Sequence, residues 1–102
     1  NSRKMWRFPF DVVQARSKIV IYGAGNVGRD FYEILKKTGY GEVVLWVDKN
    51  YEKLGGEVVN PNAVRSCGYD YLLVALSREE DIKSAVEYLR GIGVEADKIV
   101  TI

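Results

Sequence analysis

Three glycines, Gly23, Gly25 and Gly28, fall in a G-x-G-x-x-G spacing inside "IYGAGNVGRD", and an acid, Asp48, follows about 20 residues further on. Residues of these types at this spacing suit the binding of a pyrophosphate and its ribose. Gly23 lets the chain turn sharply out of a strand, Gly25 removes a side chain so that a phosphate can approach the backbone, and Gly28 lets the next helix pack closely. Ala24, Asn26 and Val27 complete the loop, and Asn26 offers a side-chain donor. The unpaired N–H groups of the helix that opens there carry roughly half a positive charge, which favours an anion. Asp48 is placed to accept from a ribose 2′-hydroxyl and to repel a 2′-phosphate, which favours NAD over NADP. Lys49 beside it acts in the opposite sense and keeps NADP open.

The remaining reactive residues offer little chemistry. There is no histidine, and Cys67 is the one cysteine, so His-based catalysis, an internal disulfide and a Cys/His zinc site are excluded. Cys67 precedes Gly68, has no basic neighbour and reads as a weakly reactive, partly buried thiol. Tyr32 and Lys36 share the Y-x-x-x-K spacing of short-chain dehydrogenases. They fall on the first helix, and not after the fourth strand where that chemistry is done, so they read as surface and packing. Glu79, Glu80 and Asp81 suit the first turn of a helix through its dipole. Trp46, Tyr69 and Tyr71 fall on or beside strands, where aromatic residues are expected. No metal site and no catalytic residue is assigned.

The elements that must position the loop follow from periodicity. Residues 18–22, "KIVIY", form a β-branched apolar run that predicts a buried strand ended by Gly23. From Asn26 the period changes, and Val27, Phe31, Ile34, Leu35 and Thr38 predict one face of a helix ended by Gly39 and Gly41. Residues 43–47 predict a second buried strand with Asp48 at its carboxyl end. A polar loop runs from there through Gly55 and Gly56. A short strand at 57–59, a helical turn at 62–66, a strand at 71–76, a helix at 79–92 and a strand at 99–102 complete the order. Ser77 is the expected N-cap of the last helix, with Ile82, Ala85, Val86 and Leu89 as its inner stripe. Strands apolar on both faces, alternating with helices, predict an α/β fold: one small doubly wound domain. Its sheet is expected to be mostly parallel, of four to five strands, with helices on both faces.

These stretches together carry a resemblance. "KIVIYGAGNVGRDFYEILKKTGY", "VVLWVDKN" and "YDYLLVAL" resemble NAD(P)-binding Rossmann domains attached to bacterial surface-polysaccharide enzymes. These include nucleotide-sugar epimerase/dehydratase-like proteins and the N-terminal domains of sugar acyltransferases. The resemblance covers about residues 17–102. It implies Gly23, Gly25, Asn26, Val27 and Gly28 on the pyrophosphate, Asp48 on the adenosine ribose, and Ala75 and Ser77 along the cofactor. In the acyltransferase relatives a similar loop serves a nucleotide-sugar, so NAD, NADP and a nucleotide-sugar all stay open as ligands.

Composition bounds the rest. The 102 residues, 47% of them apolar and 28% charged, suit one soluble globular domain. Residues 17–102 are expected to form it, with residues 1–16 as a basic and aromatic extension. Fifteen basic residues against fourteen acidic ones, alternating along the chain, argue against a nucleic-acid partner. Arg3, Lys4 and Arg7 cluster at the N-terminus and read as a solvated end. The aromatic Trp6, Phe8 and Phe10 among them should pack on this domain or on a neighbour. No apolar run is long enough for a membrane span, and the lone thiol suits a reducing, cytoplasmic setting. The chain begins at Asn1 and not at Met, so a piece of a longer protein with a neighbouring domain is expected. Three functions stay open: a nucleotide-binding module of a larger protein, a free-standing oxidoreductase or sugar-nucleotide-modifying enzyme, and a degenerate Rossmann domain used for interaction or homodimerisation.

Overall fold

The computed structural model describes residues 5–102. Arg3 and Lys4 of the basic N-terminal cluster lie outside the described residues, and Arg7 is exposed. Strand β1, Lys18–Tyr22, is buried along all but its first residue, as its apolar run requires. Helix α1, Asn26–Thr38, turns Val27, Phe31 and Leu35 inward. It ends at Gly39, whose positive φ of 66° lets its N–H reach the Leu35 carbonyl. Strand β2, Glu42–Val47, is followed by a short helix α2, Tyr51–Leu54, and by β3, Val58–Val59. A 3-10 helix, Pro61–Ser66, starts where the Asn60 side chain accepts from the Asn62 N–H at 2.9 Å. Strand β4, Tyr71–Val74, then leads through helix α3, Glu79–Gly91, to β5, Ile99–Thr101.

The strands form one five-stranded, wholly parallel sheet in the order β3-β2-β1-β4-β5. The chain lays β2 and β3 on one side of β1 and then crosses back to lay β4 and β5 on the other. The switch in direction therefore falls between β1 and β4, at whose carboxyl ends a crevice is expected in such sheets. Side chains alternate between two cores. Ile19, Ile21 and Leu73 meet Val27, Phe31 and Leu35 on the α1 face. Val20, Tyr22, Val47, Leu72 and Val74 meet Val64, Ala85 and Leu89 on the α3 face. The expected doubly wound α/β fold, with helices on both faces, is the fold observed.

Three details depart from the sequence reading. Part of the polar loop after Asp48 closes as the single turn α2, which needs no apolar stripe because none of its residues is buried. Strand β4 stops at Val74, two residues before the end of its apolar run. Ser77 does not cap α3: Arg78 occupies that position without a side-chain cap bond. Arg78 instead pairs with Glu80 at 2.8 Å and Asp81 at 3.7 Å, while the three first-turn acids complement the helix dipole.

Of the three N-terminal aromatics, Phe8 packs into this domain, while Trp6 and Phe10 remain exposed. Phe8 is 2% exposed and meets Phe31 edge-on at 5.4 Å, with Phe10 and Tyr40 at 4.8 and 6.1 Å. Val13 is equally buried, and the Tyr40 hydroxyl donates to its carbonyl at 2.7 Å. The Trp6 N–H donates to buried Asp30 on α1 at 2.8 Å. No helix among the described residues is long and apolar enough to cross a membrane.

Candidate functional site

The glycine turn is built by close backbone approach. Gly23 has φ of 117°, and a Cβ there would lie 2.7 Å from the Ala75 carbonyl oxygen. A Cβ on Gly28 would run into the Gly23 carbonyl oxygen, so this glycine is what lets α1 start against the end of β1. Gly23 is pinned further: its N–H donates to the Val47 carbonyl at 2.8 Å, and its own carbonyl accepts from the Trp46 indole at 2.8 Å. Gly25 differs. Its φ of −85° is open to any residue and a Cβ there would meet nothing within 4 Å. No contact within the chain therefore requires a glycine at this position.

Gly25 is also the N-cap of α1, and it makes no side-chain cap bond. The first turn of α1 carries no acid, and its first intrahelical bond runs from the Arg29 N–H to the Gly25 carbonyl at 3.0 Å. The N–H groups of Asn26, Val27 and Gly28 precede that bond and have no carbonyl of the helix to reach. This end of the helix is electropositive and suited to an anion.

Asp48 has a structural duty that the sequence did not reveal. Its Oδ2 accepts from the Ala24 N–H at 2.8 Å and its Oδ1 from the Asn50 N–H at 2.7 Å. The carboxylate thus ties the β2 end to the glycine turn. An ionised carboxylate has about four acceptor positions, so about two remain.

Around this corner lies an open cleft of about 570 Å³ on the α3 side of the sheet's carboxyl edge. The ends of β1 and β2 contribute Tyr22, Gly25, Asp48, Lys49 and Asn50 to its wall. Tyr51, Asn60 and Pro61 flank β3, and Leu76, Asp81, Ser84, Ala85 and Tyr88 close it from β4 and α3. Pro61, Leu76 and Ala85 give it an apolar lining on which a planar group can rest, between polar groups that can fix its orientation.

Of the residues the sequence pointed to, Gly25, Asp48 and Lys49 line the cleft. Gly23 and Gly28 shape its corner. Ala24 and Val27 are buried, and Asn26 is exposed at the helix start. Ala75 is buried behind the turn with its N–H on the Tyr22 carbonyl at 2.8 Å, and Ser77 is exposed. Neither Ala75 nor Ser77 is on the cleft wall, where their neighbour Leu76 stands. Sequence reasoning missed Tyr22, Tyr51, Asn60, Asp81, Ser84 and Tyr88. The one local signal was Tyr22, a polar aromatic ending an otherwise aliphatic strand directly before Gly23.

Electrostatics single out the same tyrosine. Burial, then the Asp48 charge, then Tyr88 raise the Tyr22 phenol above its ordinary 10.0, so it is a neutral donor at physiological pH. Tyr32 and Lys36 lie elsewhere. The Tyr32 ring stacks on Trp46 at 4.3 Å and 15°, its hydroxyl donates to Glu57 at 2.7 Å, and the Lys36 ammonium sits 5.7 Å from the ring. The hydrogen bond to Glu57 is the main cause that raises the Tyr32 pKa, which holds the phenol in its protonated form.

Strand order, glycine turn and cleft together define a small Rossmann-like α/β domain. Residues 15–100 match the family described as C2185-like, N-terminal, and the chain belongs to that family. No curated protein matches the sequence.

Proposed function

We propose that this chain is a nucleotide-binding module and that its ligand is NAD(H). The observation that carries the reading is the junction of three features at one corner. These are the uncapped start of α1, an open approach at Gly25, and Asp48 with acceptor capacity left beside an apolar-floored cleft. A pyrophosphate would sit on the α1 N–H groups, a ribose diol would donate to Asp48, and the base would enter the cleft. Asp48 and Asp81 on the cleft wall would repel an additional 2′-phosphate, which disfavours NADP.

A nucleotide-sugar is the second reading. It carries the same pyrophosphate and ribose and would meet the same α1 N–H groups and the same carboxylate. The family description names an N-terminal region, which supports a module joined to further chain. The sequence resemblance supports a setting in bacterial sugar-nucleotide or surface-polysaccharide metabolism. Catalysis would then depend on groups supplied by that neighbouring chain.

Calorimetric titration with NAD, NADP and UDP-glucose tests the proposal. NAD is expected to bind more tightly than NADP, and Gly25→Val to abolish binding while the chain still unfolds cooperatively, since the new side chain meets open space and costs only the preference for glycine at the N-cap. UDP-glucose binding without NAD binding would select the second reading, and no binding by any of the three would overturn both.

A further inference from the structure

The cleft holds three phenols in different states. Tyr88 donates its proton to Asn62 Oδ1 at 2.9 Å, and the Tyr51 hydroxyl accepts from Asn60 Nδ2 at 3.1 Å. Tyr22 is only 7% exposed, yet its hydroxyl has no hydrogen-bond partner among the described residues. No described buried side-chain oxygen or nitrogen is orphaned, so the Tyr22 oxygen reaches the cleft and is not sealed in the core. A donor held by a buried ring at the floor of a cleft, with no acceptor among the described residues, is left to water or to a ligand that enters.

Its position indicates what it meets. Tyr22 ends β1 and is paired with Val47 of β2, so it stands one residue from the level of Asp48 on the neighbouring strand. Asp48 is an acceptor only and Tyr22 is the adjacent donor. A hydroxyl placed between them can do both things a hydroxyl does, giving its proton to the carboxylate and accepting from the phenol.

We propose that Tyr22 is a specificity-determining residue that donates its phenolic proton to the ribose 2′-hydroxyl held by Asp48, so that the cleft selects ribonucleotides over 2′-deoxyribonucleotides. This rests on the nucleotide reading and extends it, because it assigns the sugar discrimination to a residue outside the glycine turn. A site built to hydrogen-bond a hydroxyl rejects the analogue lacking it far more strongly than an apolar pocket does, since its own polar groups are left unpaired.

The test is calorimetric titration of the wild-type chain and Tyr22→Phe with two probe pairs, ADP against 2′-deoxy-ADP and UDP against 2′-deoxy-UDP. Phenylalanine keeps the ring that fills the α3-side core, and thermal unfolding without nucleotide checks that the fold is retained. For whichever base binds, the wild type is expected to prefer the ribonucleotide by at least about tenfold. Tyr22→Phe should narrow that preference by about threefold to tenfold, with deoxynucleotide binding little changed. An unaltered ratio, or equal weakening of both sugars, would overturn the assignment and leave the nucleotide reading standing. Absence of all binding by the wild type would overturn both.

Discussion

At the residue scale, the glycine spacing conceals two kinds of glycine. Gly23 and Gly28 are demanded by the fold, one by a positive φ and one by contact with a carbonyl, while Gly25 is demanded by nothing within the chain. That contrast makes Gly25 the position at which the proposed binding can be tested with least disturbance of the core. Asp48 is not such a position, since its loss would also leave the Ala24 and Asn50 N–H groups without their acceptor. Tyr22 gives a prediction in pH. Its folded pKa lies above the ordinary 10.0, so the folded chain holds the proton more tightly than the unfolded chain. The associated stability is fully present below about pH 10 and is lost as pH rises through the folded value. Thermal unfolding followed from about pH 9 to about pH 11 should show a falling midpoint, with a shallower fall in Tyr22→Phe.

At the element scale, the segment ahead of β1 works as part of the α1-side core. The family match begins at residue 15, yet Phe8 and Val13 are buried against α1 and the sheet. Phe8 meets three aromatic rings, and no local pattern fixes it there; only the path of residues 5–13 across α1 brings them together. Phe8→Ala should destabilise the chain by about 3–5 kcal/mol in urea unfolding, the range for a buried aromatic. A change near zero would show that the segment does not contribute to the core. Strand β1 and helix α1 were legible from sequence because each has a sharp period and a glycine at its end. Helix α2 was not, because a single exposed turn carries no period to detect. The α3 cap was misplaced by one residue: Arg78 holds the N-cap position, its side chain in exposed ion pairs with Glu80 and Asp81, and no local signal marks it over Ser77.

At the scale of the whole molecule, the parallel order β3-β2-β1-β4-β5 brings distant residues to one edge. Tyr22, Asp48, Asn60 and Tyr88 are far apart in the chain and share one cleft because three parallel strands end at that edge and α3 runs along its side. Ligand binding there should therefore stabilise the entire domain. At a free NAD concentration about a hundredfold above its dissociation constant, the folded state gains about 2.7 kcal/mol. A thermal-unfolding midpoint that rises with NAD in the wild type, and stays fixed in Gly25→Val, is the expected outcome.

The layered α/β architecture, the glycine turn and the acid that faces it were readable in the amino-acid order, because periodicity, glycine geometry and strand ends are local properties. What surrounds that turn emerges in the folded chain. There Asp48 braces the loop as well as facing the cleft, Ala75 and Ser77 stand off its wall, and Tyr22 reaches it with a hydroxyl that has no partner among the described residues. Which side chains meet across a parallel sheet depends on strand order and register, and these are set by burial summed over the whole core and not by any one stretch of chain.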